Sequence, residues 1–551
     1  MSSSLINIAS SGLKAAQVAL STTSNNISNV YTDGYNKQSV SLSQSSGVTT
    51  SYGTVGNGVT LVSIDRAYDS LVTSQLRSAS SSYAATDSYY NQISQVDELL
   101  SDSDNSLSTL MSSFFDSLEA LSENASDTAA RQTVISSAQS MVNQFSSADQ
   151  YLRDMDSSIN QELTTSVSEI NDYTQQIANL NEKIAQLGSA SSSANSLLDQ
   201  RDQLISELNN IVGVTVTTQD SMVSVSLSNG LTLVQGNTSY ELAAVASDDD
   251  PTRVTIAYDN GIGDPIQLDE DTLTGGSVGG LLSFRSDTLD SARSQLGVIA
   301  LSLADSFNTQ HKQGVDLNGD AGTDFFSVAS PDIVSNSKNS GTAVLSASYT
   351  DTSAVQASDY TLTYASGAWA VTKVSDGSSI SYTSGTDGSG NTTLSFDGVE
   401  ITVSGSASEG DKFTLNTVSN AIAGLSVEIT DPGLIAAGMN DTDTGESDNR
   451  NASALLALQD GNLINGTSTF NDAYAALVSD IGVKTSGAET NNTTQESIVT
   501  QLTEKQQSIS GVNLEEEYVD LQRYQQYYTA NAKILSTANT IFDSLLSAVG
   551  S

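Results

Sequence analysis

Residues 514–549 leave the chain little choice of fold. Alternating steps of four and three from Leu514 reach Tyr518, Leu521, Gln525, Tyr528, Ala532, Leu535, Asn539, Phe542 and Leu546, a mostly apolar line of the heptad kind. The spacing predicts one helix over 514–549, roughly 54 Å long and about three times the mean globular helix. A narrow stripe on so long a helix requires a partner. At the other end Ile6, Ala9, Leu13, Ala16, Leu20, Thr23, Ile27 and Val30 recur with the same spacing. The two ends are therefore expected to pair. The residues expected to form the assembly interface are Ile6, Leu13, Leu20 and Ile27 with Leu514, Tyr518, Leu521, Tyr528, Leu535, Phe542 and Leu546. Gln525 and Asn539 interrupt the stripe; such polar positions either fix register or mark where no partner sits.

Charge separates the ends from the middle. The 551 residues carry a formal net charge of −44, which repels phosphate backbones and anionic lipid surfaces and excludes nucleic acid as a partner. The first thirty residues hold only Lys14, and beyond Leu521 the charges are Arg523, Lys533 and Asp543. Nearly neutral ends suit association; an acidic middle suits solvent. Alanine-rich seams bury little surface, so the ends are expected to be largely disordered in the single chain and to fold by packing among neighbouring copies. No run approaches the roughly 18 apolar residues of a membrane span, and no basic segment followed by an apolar run marks a leader, so a location outside the cell would need another export route. The chain has no cysteine, which removes disulfides and thiolate metal sites and leaves the compartment open.

Between the ends the pattern changes several times. Asp33-Gly34 predicts a turn closing the first helix, and 40–65 reads as an extended, hairpin-like connector. Leu152, Met155, Ile159, Leu163, Val167, Ile170, Ile177, Leu180, Ile184 and Leu187 form a sustained helical stripe, either a bundle core or a two-helix coiled coil. A serine- and alanine-rich turn follows at 188–195. Period-two alternation then begins near Ile211, with Asn229-Gly230 as a hairpin turn. Residues 277–308 return to helical spacing, 341–417 read as short strands, and Leu455, Leu456 and Leu458 open a returning helix. The expected fold is α+β and multidomain: paired, coiled-coil-like terminal helices, a long helical rod domain and two inserted mostly-β domains. The expected units are 1–65 with 505–551, 66–205 with 430–504, 206–340, and 341–429.

Residues that could carry chemistry are few. Asp316, Asn318 and Asp320 resemble the start of a calcium loop, but Ala321 and Ser327 stand where glycine and a bidentate glutamate belong. A carboxylate-rich turn is the bland alternative. His311 is the only histidine, which rules out a multi-histidine zinc site within one chain and points to a structural role. Acidic pairs such as those in Asp248-Asp249-Asp250 say nothing in so acidic a chain. No catalysis and no cofactor are expected.

Five segments carry a family resemblance. Asn25-Asn26-Ile27-Ser28-Asn29, followed by Gly34-Tyr35 and Lys37-Gln38, resembles the N-terminal signature of the flagellar axial proteins, the family of rod, hook and hook-associated subunits. Asp33 departs from it, standing where many relatives carry Pro or Ala; either keeps the turn. Leu198-Asp199-Gln200-Arg201-Asp202-Gln203-Leu204, Phe307-Asn308-Thr309-Gln310-His311 and Asn449-Arg450-Asn451-Ala452 resemble interior segments of hook-associated members. Ser510-Gly511-Val512-Asn513-Leu514 with Leu521-Gln522-Arg523-Tyr524-Gln525-Gln526-Tyr527-Tyr528 and Ala530-Asn531-Ala532 resembles their C-terminal end, and rod and hook subunits usually differ at the Leu521–Tyr528 centre.

The resemblance implies a non-catalytic subunit of the bacterial flagellum at the junction of hook and filament, its terminal helices in the inner wall of a hollow polymer. It implies as partners the hook protein, hook-associated protein 3, copies of the same chain in a ring, and an export chaperone on the C-terminal helix. It also implies an extracellular location reached by type III export without a cleaved leader. The alternatives are a rod or hook subunit, or an acidic surface adhesin whose β domain binds a ligand around Trp369.

Overall fold

The computed structural model describes residues 2–50, 53–101, 106–187, 194–219, 221–441 and 445–549; the turn expected at 188–195 falls, over 188–193, outside them. Helix α1 spans Ser2–Ser28. Strands Gln38–Gln44 and Val59–Arg66 then pair antiparallel, extended by a small hairpin of Val48–Thr50 with Gly53–Val55. Four helices follow: α2 (Ser70–Ser101), α3 (Leu107–Glu123), α4 (Thr128–Leu187) and α5 (Asn195–Ile211). Helix α4 has 60 residues, about 90 Å of helix. Its stripe from Leu152 to Ile184 is buried, and α4 as a whole packs against α3, α5, α7 (Asp290–His311) and strands of the next unit, so it belongs to a shared core rather than a two-helix coil. Leu187, the last member, is exposed.

A four-stranded antiparallel sheet takes Val214–Gln219, Met222–Leu227, Thr232–Gln235 and Thr238–Ser239 in sequence order, and a second sheet centres Val254–Asp259 between Glu241–Ala246 and Ile266–Gln267. Helix α6 (Gly276–Phe284) runs through a π turn at Arg285–Leu289 into α7. Residues 332–416 form two antiparallel sheets of five and four strands. Their inward side chains, among them Tyr360, Leu362, Phe396, Ile401, Phe413 and Leu415, make one core, with the Tyr360 and Phe396 rings 5.0 Å apart. The chain then returns through α8 (Arg450–Leu456) and α9 (Phe470–Ser510), whose start carries a Thr469/Asp472 capping box. Helix α10 spans Leu514–Val549. Returning helices lie on outgoing ones, α9 on α2 and α10 on α1, which brings the two ends of the chain together.

The centre of the helical body is aromatic. Phe307 lies 5.4 Å from Phe114 and 4.9 Å from Phe325, whose ring is 4.8 Å from Phe326. The segment 307–311 serves this core and its seams together: Asn308 Oδ1 accepts the amides of Phe325 and Phe326 at 2.8 and 2.9 Å, and Gln310 Nε2 donates to Asn451 Oδ1 at 2.7 Å. His311 is fully buried; its Nδ1 sits 2.7 Å from the Thr323 carbonyl and its Nε2 accepts the Ala436 amide at 2.9 Å. That arrangement fixes the neutral tautomer with the proton on Nδ1.

Burial holds the His311 imidazole below its ordinary value of 6.5. The folded state therefore binds fewer protons than the unfolded one just below 6.5, and stability present above that pH is lost as pH falls. Acidification from pH 7 toward 5 should lower the melting temperature of the native chain more steeply than that of His311→Gln. Equal slopes would contradict the assignment.

Candidate assembly interface

Helices α1 and α10 pair antiparallel, because Asn26 meets Glu517 while Gly12 meets Asn531. Their seam is built from small side chains. On α1 the buried positions include Ala9, Ala16, Ala19, Thr23 and Asn26; on α10 they are Glu517 and Ala538. A first side-chain carbon added at Gly12 would stand 2.4 Å from Asn531 Oδ1, so glycine is what admits this approach. The expected seam is displaced by one flank. Ile6, Leu13, Leu20 and Ile27 are half-buried, as are Leu521 and Leu535. Leu514, Tyr518, Tyr528, Phe542 and Leu546 stay 42–59% exposed. Heptad counting selects the largest apolar residues, whereas these helices approach through their smallest. Gln525 and Asn539 are both exposed, so neither fixes register within the pair. By the same count Ser2 stands level with Ile541, and the remainder of α10, with Phe542, Leu545 and Leu546 exposed, extends past α1.

Where α1 ends, a polar node joins three segments. Asn26 spends its whole amide: Nδ2 donates to the Gln38 carbonyl at 2.9 Å and to Glu517 Oε2 at 3.0 Å, and Oδ1 accepts from the Gln38 amide at 3.0 Å and the Tyr35 hydroxyl at 2.7 Å. Lys37 Nζ lies 3.2 Å from both Glu516 Oε2 and Glu517 Oε1, and its amide donates to the Ser510 carbonyl at 2.8 Å. Burial alone would pull Lys37 down, but Glu517 and Glu516 raise it above the ordinary lysine value. Burial and the nearby Asp199 charge push the Tyr35 hydroxyl up to about 12, so it stays a donor. Asn513 caps α10 through its side chain to the Glu515 amide at 3.0 Å, and the acidic first turn suits the positive end of the helix dipole. Asn26, Lys37 and Glu517 escaped the apolar count. The adjacent Asn25-Asn26 and the acidic run at 515–517 were the available signals.

The segment 198–204 of α5 clamps this end to the body. Asp199 Oδ1 accepts from Asn36 Nδ2 at 2.6 Å and from Arg66 at 2.8 Å; Asp202 accepts from Arg66 at 2.7 Å and from Arg77 of α2 at 3.1 Å. Burial pulls Arg66 down, and the two carboxylates more than offset it. Arg201 points the other way, reaching Asn181 Oδ1 at 3.0 Å and the Ser221 carbonyl at 2.9 Å. Gln203 fills the space beside Gly34, whose φ of +73° and lack of a side chain let the turn lie against α5. One heptapeptide thus holds the connector, α2, α4 and the first β sheet.

The acidic loop closes on itself. Asp316 Oδ1 accepts the amides of Asn318 and Asp320 at 2.8 and 2.9 Å, and the Asp316 amide donates to the Asp320 carbonyl at 2.9 Å, an Asx turn that engages the carboxylate a cation would have needed. Among the described residues no group of three or more metal-ligating side chains converges, and no helix is long and apolar enough to cross a membrane. Trp369, the expected platform of the adhesin alternative, packs against Tyr364 and Phe413 with ring centroids at 5.2 and 5.8 Å.

The two ends and the interior match different families. Residues 6–36 match the family described as flagella basal body rod protein, and 505–548 the one described as flagellar basal body rod FlgEFG protein C-terminal. These cover most of α1, its turn and nearly all of α10, the antiparallel pair with its node. Residues 93–326 match the flagellar hook-associated protein FlgK helical domain, and 334–417 the flagellar hook-associated protein 1 D2-like domain. Flagellar hook-associated protein 1 of Salmonella typhimurium is 49% identical over 553 aligned positions, covering 99% of both chains. The chain belongs to the flagellar hook-associated protein 1 family. Its relative of the same name in Escherichia coli is 48% identical over 99% of both chains, and that in Bacillus subtilis 30% identical over 57% of this chain and 68% of its own. A solved structure titled as the flagellar hook junction protein FlgK from Burkholderia pseudomallei, 29% identical, superposes with a TM-score of 0.74 over 79% of this chain and all of its own. The rod-subunit, hook-subunit and adhesin alternatives find no support in these whole-chain similarities.

The clamp makes a measurable claim. Replacing Arg66 by Met leaves the poorly exposed Asp199 without a cation, with Asn36 as its remaining partner, while Asp202 keeps Arg77, and should destabilise the helical body by about 3 kcal/mol. Adding Asp199→Asn to Arg66→Met should recover part of that loss in thermal unfolding. A single variant as stable as the native chain would show that the ion pairs are idle.

Proposed function

We propose that this chain is a structural, non-catalytic subunit at the junction of hook and filament in the bacterial flagellum, joining them by co-assembly of its terminal helices into the axial polymer. The observation that carries the reading is the uncovered apolar side of α10. Tyr518, Val519, Tyr527, Tyr528, Ile534, Ile541, Phe542, Leu545 and Leu546 are all at least 43% exposed within one chain. So many large apolar side chains left exposed on one helix mark an interface. Copies of the chain, with the hook protein on one side and hook-associated protein 3 on the other, supply its cover. On this reading the expected assembly residues divide. Ile6, Leu13, Leu20, Ile27, Leu521 and Leu535 support the pair from its flanks, while Leu514, Tyr518, Tyr528, Phe542 and Leu546 face neighbours.

The acidic middle, with its β sandwich at 332–416, stays outward in solvent. The reading carries the chain to an extracellular position by the flagellar export apparatus without a cleaved leader. A chaperone on α10 shields the same apolar side before export, since that side aggregates if left bare. Phe542→Asp together with Leu546→Asp should leave the far-UV circular dichroism and melting of the purified chain unchanged, because both side chains already face solvent. Cells making that variant should release unpolymerised flagellin into the medium. A filament of normal length on such cells would refute the proposal.

A further inference from the structure

The repeat that builds the α1–α10 seam also makes its register ambiguous. Along α1 the seam falls at Ala9, Ala16 and Thr23 and again at Gly12, Ala19 and Asn26; along α10 it falls at Glu517, Tyr524, Asn531 and Ala538. Each series has a period of seven. Sliding one helix by seven residues brings the same heptad lines together again, with Tyr524 or Ala538 now opposite Gly12, so the period alone does not choose the register.

Polar groups do separate them. The Glu517 side chain is 2% exposed, and both its partners, Asn26 at 3.0 Å and Lys37 at 3.2 Å, lie on the N-terminal segment. A slide by seven sets Glu517 opposite Ala19 in one direction and beyond the end of α1 in the other. It also sets Asn26 opposite Tyr524 or Ser510. The first slide strands a buried carboxylate against methyl groups, and both break the four-bonded amide of Asn26. Lys37 adds direction, because its amide is held by the Ser510 carbonyl, four residues before α10 begins.

We propose that Glu517 is a positioning residue that fixes the register of α10 on α1, and with it the set of apolar side chains that the paired ends present outward. The consequence for assembly rests on the junction reading; the pin itself acts within one chain.

The chain has no cysteine, so introduced pairs report without background. Gly12→Cys with Asn531→Cys reads the observed register, and Gly12→Cys with Tyr524→Cys or with Ala538→Cys, each also carrying Asn531→Ala to clear the space beside residue 12, reads the two registers slid by seven. Under mild oxidation of the purified full chain, the 12–531 pair should form about a hundredfold more than either slid pair, the order of preference that a buried, hydrogen-bonded charge imposes. With Glu517→Leu, which keeps the helix and an apolar seam, or with Glu517→Ala, the three pairs should form in comparable amounts. An unchanged preference for 12–531 overturns the pin, and so does a uniform fall in all three, which a purely stabilising role would give. No crosslink in any pair, with helical content intact by circular dichroism, overturns the pairing on which the pin acts. If the register shifts as expected and cells carrying Glu517→Leu still build normal filaments, the junction reading fails while the pin stands.

Discussion

Two helices lie closest where their facing side chains are smallest, and the seam through Ala9, Gly12, Ala16 and Ala19 takes that route. Close approach comes with little apolar burial: an alanine in place of leucine forgoes roughly 2 kcal/mol per position. The pair therefore leans on groups outside the seam. Within the chain these are the Asn26, Lys37 and Glu517 node and the Asn513 cap. Beyond the chain they are whatever covers the large side chains left on the outward side of α10.

The clamp in α5 gives the pair its bearing on the rest of the molecule. Asp199 and Asp202 reach the connector through Asn36 and Arg66 and reach α2 through Arg77, so a load on the ends passes into the helical body through charged, poorly exposed bonds. On the body's other side Arg153 of α4 reaches the Ser419 carbonyl at 3.0 Å and Asn420 Oδ1 at 3.1 Å, tying the base of the β sandwich to the same helix that carries the core. The ends, body and sandwich are thus joined by directional polar contacts, while the greasy surface that remains is concentrated on α10.

Much of this was legible from residue spacing. The helix expected over 514–549 is the helix observed and Asn229-Gly230 separates two paired strands, while the first helix ends at Ser28, ahead of the turn that Asp33-Gly34 does mark. Those features depend on local preference and period, which a single sequence displays directly. The seam did not. Period counting weighs Leu13, Leu20 and Tyr518 above Gly12 and Ala19, yet the antiparallel approach turns on the small residues. The node was hidden for a different reason: Asn26 and Glu517 stand 491 positions apart, and nothing local marks them as partners. The acidic loop carried two readings, a cation loop and a carboxylate-rich turn. Asp316 and Asn318 have the spacing of ligands, and the backbone amides of their own turn take the carboxylate instead.

The central claim is that the outward side of α10 is bare in the single chain and covered in the assembled appendage. Cysteines placed singly at Tyr518 and at Phe542, 59% and 44% exposed, test it through their rate of maleimide labelling. Both should react quickly in the purified chain and resist labelling in intact flagella, while a cysteine at Val344 on the β sandwich, 66% exposed, should react at similar rates in both states. Equal labelling of Tyr518→Cys and Phe542→Cys before and after assembly would contradict the account.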